Sequence, residues 1–358
     1  MKSPSLYSNK VSGRLLILLM IIHLIGTIVA YTVYINLSSL GDGYLVKDYH
    51  PSDYQAIGFT RTWFVHAIYY YIGIHLPNFW TPLLFGQIVA IATWHAFRDV
   101  YLYINRQLFW ACNLFPHFLV WSGSSSKEQI LIIFGIFVIG FVAKRTFASH
   151  RLNKLNLLFV CLSLAIICII RPNYFVIYFT IFITSLFAPL LNKTKIYRLS
   201  VGIWAFIFIM LGILSTTCFI IFFSKDFIGF MERVEYSFLC VPGGSNRYDI
   251  QWENISDFFY NIPWGVPQGL IGPTLFETIS KPIQFPVFVE GVFYLIILCY
   301  VFVKLLKIAH VSKNLRVHIL PYFFAALAVI IISYPYLIFN AGSALRYKQS
   351  MHPVIIFY

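Results

Sequence analysis

The sequence has little charge. Only 11% of its 358 residues are charged, against 59% hydrophobic. A soluble chain of this length could not keep that much apolar surface from water, so a soluble globular protein is excluded. Carboxylates are the scarcest, with 13 acidic side chains set against 26 basic ones. Cysteine is sparse as well. Of six, only Cys240 lies outside an apolar run, and no CxxC spacing occurs. That argues against a structural zinc site and against a disulfide framework. The histidines show neither HExxH nor paired spacing. No internal repeat, low-complexity tract or stretch polar enough for a soluble domain is present.

What remains is a string of apolar runs. A helix crossing ~30 Å of hydrocarbon needs about 20 residues. Runs at 15–37, 79–103, 107–121, 129–143, 155–170, 173–191, 200–223, 286–309 and 319–340 predict nine spans, with a tenth beginning at Pro353. The first is too long for a signal-peptide core and no small-x-small site follows it, so it reads as an uncleaved anchor. The expected fold is all-α, a polytopic membrane helical bundle of 9–10 helices forming one integral membrane domain over 1–358.

The two signs of charge segregate along this string. The loops at 104–106, 144–154, 192–199 and 304–318 fall on the same side as the N-terminus. They carry Arg106, Lys144, Arg145, Lys193, Lys304 and other cations, and no carboxylate. Every acidic residue except Asp99 and Glu290 falls on the opposite side. The positive-inside rule then predicts a cytoplasmic N-terminus. The net charge of +13 sits in short loops, where anionic lipid headgroups are the expected partner and nucleic acid is not.

Two outer segments are long, 38–78 and 224–285. Within the first, TRTWFVHAIYYYIGIHL (60–76) reads as an interfacial helix on the outer leaflet. Within the second, NIPWGVPQGLIGP (261–273) presents Trp264 among prolines and glycines. It reads equally as a platform for a sugar chain or as an interface anchor. The runs 107–121 and 129–143 are short, which would sink the polar WSGSSSKEQ (121–129) below the outer surface. Irregular backbone at that depth requires surrounding protein or a watery cavity. An outward cavity with Lys127 and Glu128 at its wall is one expectation; a thin bilayer or tilted neighbours is the other.

The outer side also holds the candidate chemistry. Asp42 and Asp48, in GDGYLVKDYH (41–50), follow the first span. A carboxylate there can take a proton from a sugar hydroxyl or hold a divalent cation; a solvated acidic loop is the plain alternative. Arg171, in IIRPNYF (169–175), sits at the apex of a tight hairpin between apolar runs. A charge so placed asks for a partner, and guanidinium binds phosphate through two parallel hydrogen bonds. Snorkelling to headgroups is the alternative. Arg346 and Lys348, in NAGSALRYKQS (340–350), add cations on the same side, as does Lys127. Arg98 and Asp99, near the inner end of the second span, read as structural.

Together, GDGYLVKDY, SSSKE, RPNY, NIPWGVPQGLIGP and NAGSALRY resemble bacterial inner-membrane proteins of surface-polysaccharide assembly. These are the O-antigen and capsule repeat-unit polymerases and related GT-C-type membrane glycosyltransferases. The resemblance implies a GT-C-like fold and an undecaprenyl-linked oligosaccharide substrate handled at the periplasmic face. Other polysaccharide-assembly proteins would be partners. It places the catalytic base at Asp42, with Arg171 and Arg346 on the lipid-linked donor or acceptor. Two other classes stay open: a single-sugar transferase using a polyprenyl-phosphate sugar, and a lipid-oligosaccharide flippase or transporter.

Overall fold

A computed structural model describes residues 5–34, 61–76, 79–147, 153–191, 199–204 and 252–311. Shorter stretches are described between 206 and 247 and between 330 and 344. Among these residues all regular structure is helical and there is no strand. The helices are α1 (Ser5–Val29, continued by a π-helical turn to Tyr34), α2 (Arg61–His75), α3 (Trp80–Phe97) and α4 (Arg106–Leu114). They continue as α5 (Pro116–Ser122), α6 (Lys127–Phe147), α7 (Lys154–Ile170), α8 (Pro172–Leu191), α9 (Ile255–Ile271), α10 (Leu275–Ser280) and α11 (Phe285–Val311). Three of them hold segments long and apolar enough to cross a membrane: Gly13–Val33, Lys127–Phe147 and Phe285–Val311. Three such helices point to a membrane protein, helical throughout its described regular structure. The run expected at 319–340 falls mostly outside the described residues.

The described residues divide into two compact units, the first running to Phe182 and the second beginning at Ile183. In the first, α3 packs against α1 and α6, α6 against α7, and α5 against α1. Gln129, near the start of α6, donates to the Pro82 carbonyl near the start of α3. Lys144 Nζ, near the end of α6, lies 3.1 Å from Asp99 just past the end of α3. Like ends meet, so α3 and α6 run parallel, as the second and fourth predicted spans must. Asp99, one of the two carboxylates outside the acidic side, is thus neutralised by Lys144 and by Arg98 at 3.5 Å. Arg98 in turn lies over the Trp94 ring, 4.4 Å from its centroid.

Small residues allow the close approach. A methyl group at Gly140 would overlap Ala96, bringing α6 onto α3. This is the packing expected where lipid tails offer helices no hydrophobic drive to associate. Lipid-type faces are plain on α1, where Ile17, Ile21 and Ile25 are exposed, and on α7, where Leu155, Leu158, Phe159 and Leu162 are. So continuous an apolar surface has no place in water.

Two predicted runs differ in detail. The run at 129–143 is longer than expected: α6 spans 21 residues and begins at Lys127. The run at 107–121 is not one helix. It breaks between α4 and α5 at Phe115, whose ψ of 121° is extended. The cause is local, because Pro116 crowds the residue before it out of the helical region.

In the second unit α9 packs on α11, and the core gathers Met231, Trp252, Tyr334, Ile338 and Phe339 against Phe258 and Ile262. The Tyr334 hydroxyl donates to the Phe258 carbonyl. The 261–273 stretch is mostly helix, with Pro263 and Pro267 inside α9. At the start of α9, Asp257 accepts from the Glu253 and Asn254 amides at 2.9 and 2.8 Å.

Candidate functional site

The serine-rich loop and the starts of α3, α6 and α8 meet in a buried polar cluster of the first unit. Ser122, Ser124, Ser126, Glu128 and Gln129 are all buried. The loop packs against α1. Gly123 is so close to α1 that a Cβ on it would lie 2.7 Å from the Thr27 Cα. Thr27 is six residues before the end of the apolar segment Gly13–Val33, about 9 Å at helical rise. The irregular backbone is satisfied by protein. Gln129 donates to the Ser122 and Pro82 carbonyls. The Tyr69 hydroxyl, from α2, lies 2.7 Å from Gln129 Oε1 and 3.0 Å from the Ser126 carbonyl, sharing one proton between them. Burial pushes that phenol well above its ordinary pKa, so it remains a donor. His23 Nδ1 lies 2.9 Å from Ser122 Oγ. Residues of α1, α2, α3 and α6 thus enclose this loop.

Arg171 and Glu128 close this cluster. Arg171 Nη2 donates to Glu128 Oε1 at 3.1 Å; the arginine side chain is 18% exposed and the glutamate 1%. The hairpin follows from the sequence. Arg171 precedes Pro172, so its backbone leaves the helical region and α7 ends where α8 begins. Lys127 is the first residue of α6, beside Glu128. The Arg171 guanidinium thus reaches from the turn before α8 to the first turn of α6. Helix N-termini and guanidinium both favour an anion, which at present is the Glu128 carboxylate.

The structure thus joins two elements, SSSKE and RPNY, that lie about 45 residues apart in the chain. Glu128 and Arg171 come together, and Lys127 precedes Glu128 at the start of α6. Trp264, in α9 of the second unit, is 43% exposed and donates to Asn261 Oδ1 at 3.0 Å. Asp42, Asp48, Arg346 and Lys348 lie outside the described residues. Among the described residues no three His, Cys, Asp or Glu side chains converge to hold a metal ion.

One strongly bound group has no counterpart in the sequence reading. Arg247 Nε and Nη2 meet both oxygens of Glu277 at 2.7 and 2.8 Å. Its Nη1 donates to the Ile338 carbonyl at 2.7 Å and Nη2 to that of Gly272 at 2.8 Å. Only half of this was legible. Thr274 and Glu277 carry the T-x-x-E spacing of a capping box, which the structure forms at the start of α10. Nothing near Arg247 in sequence points to Glu277. With its donors committed to protein, Arg247 is a structural clamp and not an anion site.

Comparison with protein-family models, with curated proteins and with solved structures returns no match.

Proposed function

We propose that the protein is a membrane glycosyltransferase of surface-polysaccharide assembly, a repeat-unit polymerase acting on undecaprenyl-linked sugar. The observation that supports this reading is the Arg171 guanidinium held on the buried Glu128 carboxylate in the first turn of α6. A lipid diphosphate needs such surroundings as it leaves. In the proposed step the acceptor hydroxyl oxygen attacks the anomeric carbon and its proton passes to the Asp42 carboxylate. The bond from that carbon to the diphosphate oxygen breaks, and the electron pair stays on the phosphate. Arg171 releases Glu128 and binds the departing charge through two hydrogen bonds. Asp48, Arg346 and Lys348 belong to the same proposal as further outer-side contacts, and a divalent cation held at Asp42 is compatible with it.

A flippase or transporter is the second reading. The break between α4 and α5 favours it, since transporters use interrupted helices beside buried polar sites. Deletion of the native gene separates the two. A polymerase defect leaves the lipid core carrying one repeat unit, whereas loss of a flippase leaves the core bare. Asp42→Asn should abolish the polysaccharide length ladder on a gel while the protein remains inserted. A normal ladder would remove Asp42 from the mechanism.

A further inference from the structure

We propose that α10 is a membrane-surface foot, its apolar face seated at the headgroup–acyl boundary of the leaflet from which α11 enters the bilayer. This does not depend on the reaction proposed above. Leu275, Phe276 and Ile279 are 51%, 80% and 70% exposed, and their i, i+1, i+4 spacing puts them on one face of the helix. The other face is built in. Thr278 is buried, Glu277 is gripped by Arg247, and the Thr274 hydroxyl accepts from the Glu277 amide at 3.1 Å. A frayed turn would have none of these holds, so the apolar face is presented on purpose-built support.

Chain continuity identifies the occupant. Lys281 and the 3-10 turn Pro282–Gln284 join α10 to α11, which is apolar enough to cross a membrane, and α10 packs on α11. A 3-10 turn rises ~2 Å per residue, so the foot lies roughly 10 Å along the chain from the start of that segment. Interfacial helices sink about 5–10 Å into this boundary. Lys281 is exposed beside the foot, where its ammonium can meet a lipid phosphate. Tyr260 and Trp264 of α9 are exposed too, the residue types that gather at this depth.

The test is carried out on the full chain in nanodiscs of phosphatidylethanolamine and phosphatidylglycerol. Nitroxide labels are placed at Phe276→Cys and Ile279→Cys after replacement of the native cysteines. Ile296→Cys serves as the lipid reference and Asn254→Cys as the water reference. The oxygen-to-nickel accessibility ratio at 276 and 279 should fall between the two references. A ratio equal to that at 254 overturns the proposal, as does protection that appears only when soluble oligosaccharide is added. Should the cysteine-free chain fail to fold, Phe276→Trp in the native background gives the same answer. Its added emission should be quenched by lipid brominated near the headgroup and spared by acrylamide; the reverse pattern overturns the foot.

Discussion

Arg171 and Arg247 are both arginines paired with a glutamate, and the sequence singled out only the first. Arg171 was legible because a charge between two apolar runs is costly, so its placement alone demands a partner. The partner was not legible, because Glu128 reaches it only through the packing of α6 on α7. Glu128→Gln keeps the shape and removes the buried counter-ion from a part-buried guanidinium. It should cost about 3 kcal/mol of stability, and Arg171→Gln should cost a similar amount. The two losses should not add in the double variant, because each removes the same pair. Melting followed by gel filtration in detergent checks this, and additive losses would mean that the pair is not coupled. At Glu277 burial raises the carboxyl pKa, but Arg247 and the Thr274 amide outweigh it, so the net shift is downward from 4.5. A lowered folded pKa contributes stability above the unfolded value and loses it as pH falls through the folded one. Thermal stability should therefore drop on acidification below about pH 4.5. Arg247→Met should lower stability by about 3 kcal/mol at neutral pH and should flatten that acid-dependent loss.

At the scale of elements, local chemistry accounts for most of the boundaries. Pro116 and Pro172 each end a helix before them, and the Thr274–Glu277 box starts α10. Hydrophobic runs alone could not find the break at Phe115, since both sides of it are apolar. Nor could they extend α6 back to Lys127, because its first turn is polar and is stabilised by burial among other helices. Close contacts between elements are a tertiary matter. Gly291 of α11 lies so close to the Ile271 carbonyl that any Cβ would overlap backbone. Backbone cannot rotate away as a side chain can, so Gly291→Ala should separate α9 from α11. A loss of about 3 kcal/mol is expected, read as a lower melting temperature with the foot α10 also displaced. Gly13→Ala is the control, since nothing lies within 4 Å of its Cβ position; an equal loss there would show a general effect of the substitution.

At the scale of the whole molecule, the charge pattern makes a prediction about sidedness. Arg98, Asp99 and Lys144 gather at one end of the first unit, and Tyr69, Ser126, Glu128 and Arg171 at the other, as alternating spans require. From that pattern the first end is expected to face the cytoplasm. Single cysteines at Ser149 and Ser245, in an otherwise cysteine-free chain, should respond oppositely to an impermeant thiol reagent on intact cells. Labelling at 245 and not at 149 is expected, and the reverse would invert the topology. The sequence by itself determined the membrane class and the helical character of the described residues. Those properties follow from composition and from the demand that every backbone polar group in lipid be satisfied within its own helix. Only the tertiary structure decided that the serine loop is enclosed by α1, α2, α3 and α6, that Arg171 meets Glu128, and that Arg247 grips Glu277. Each of those contacts joins residues from distant parts of the chain. Their energy depends on close packing and on low local polarity, neither of which exists until the helices have assembled.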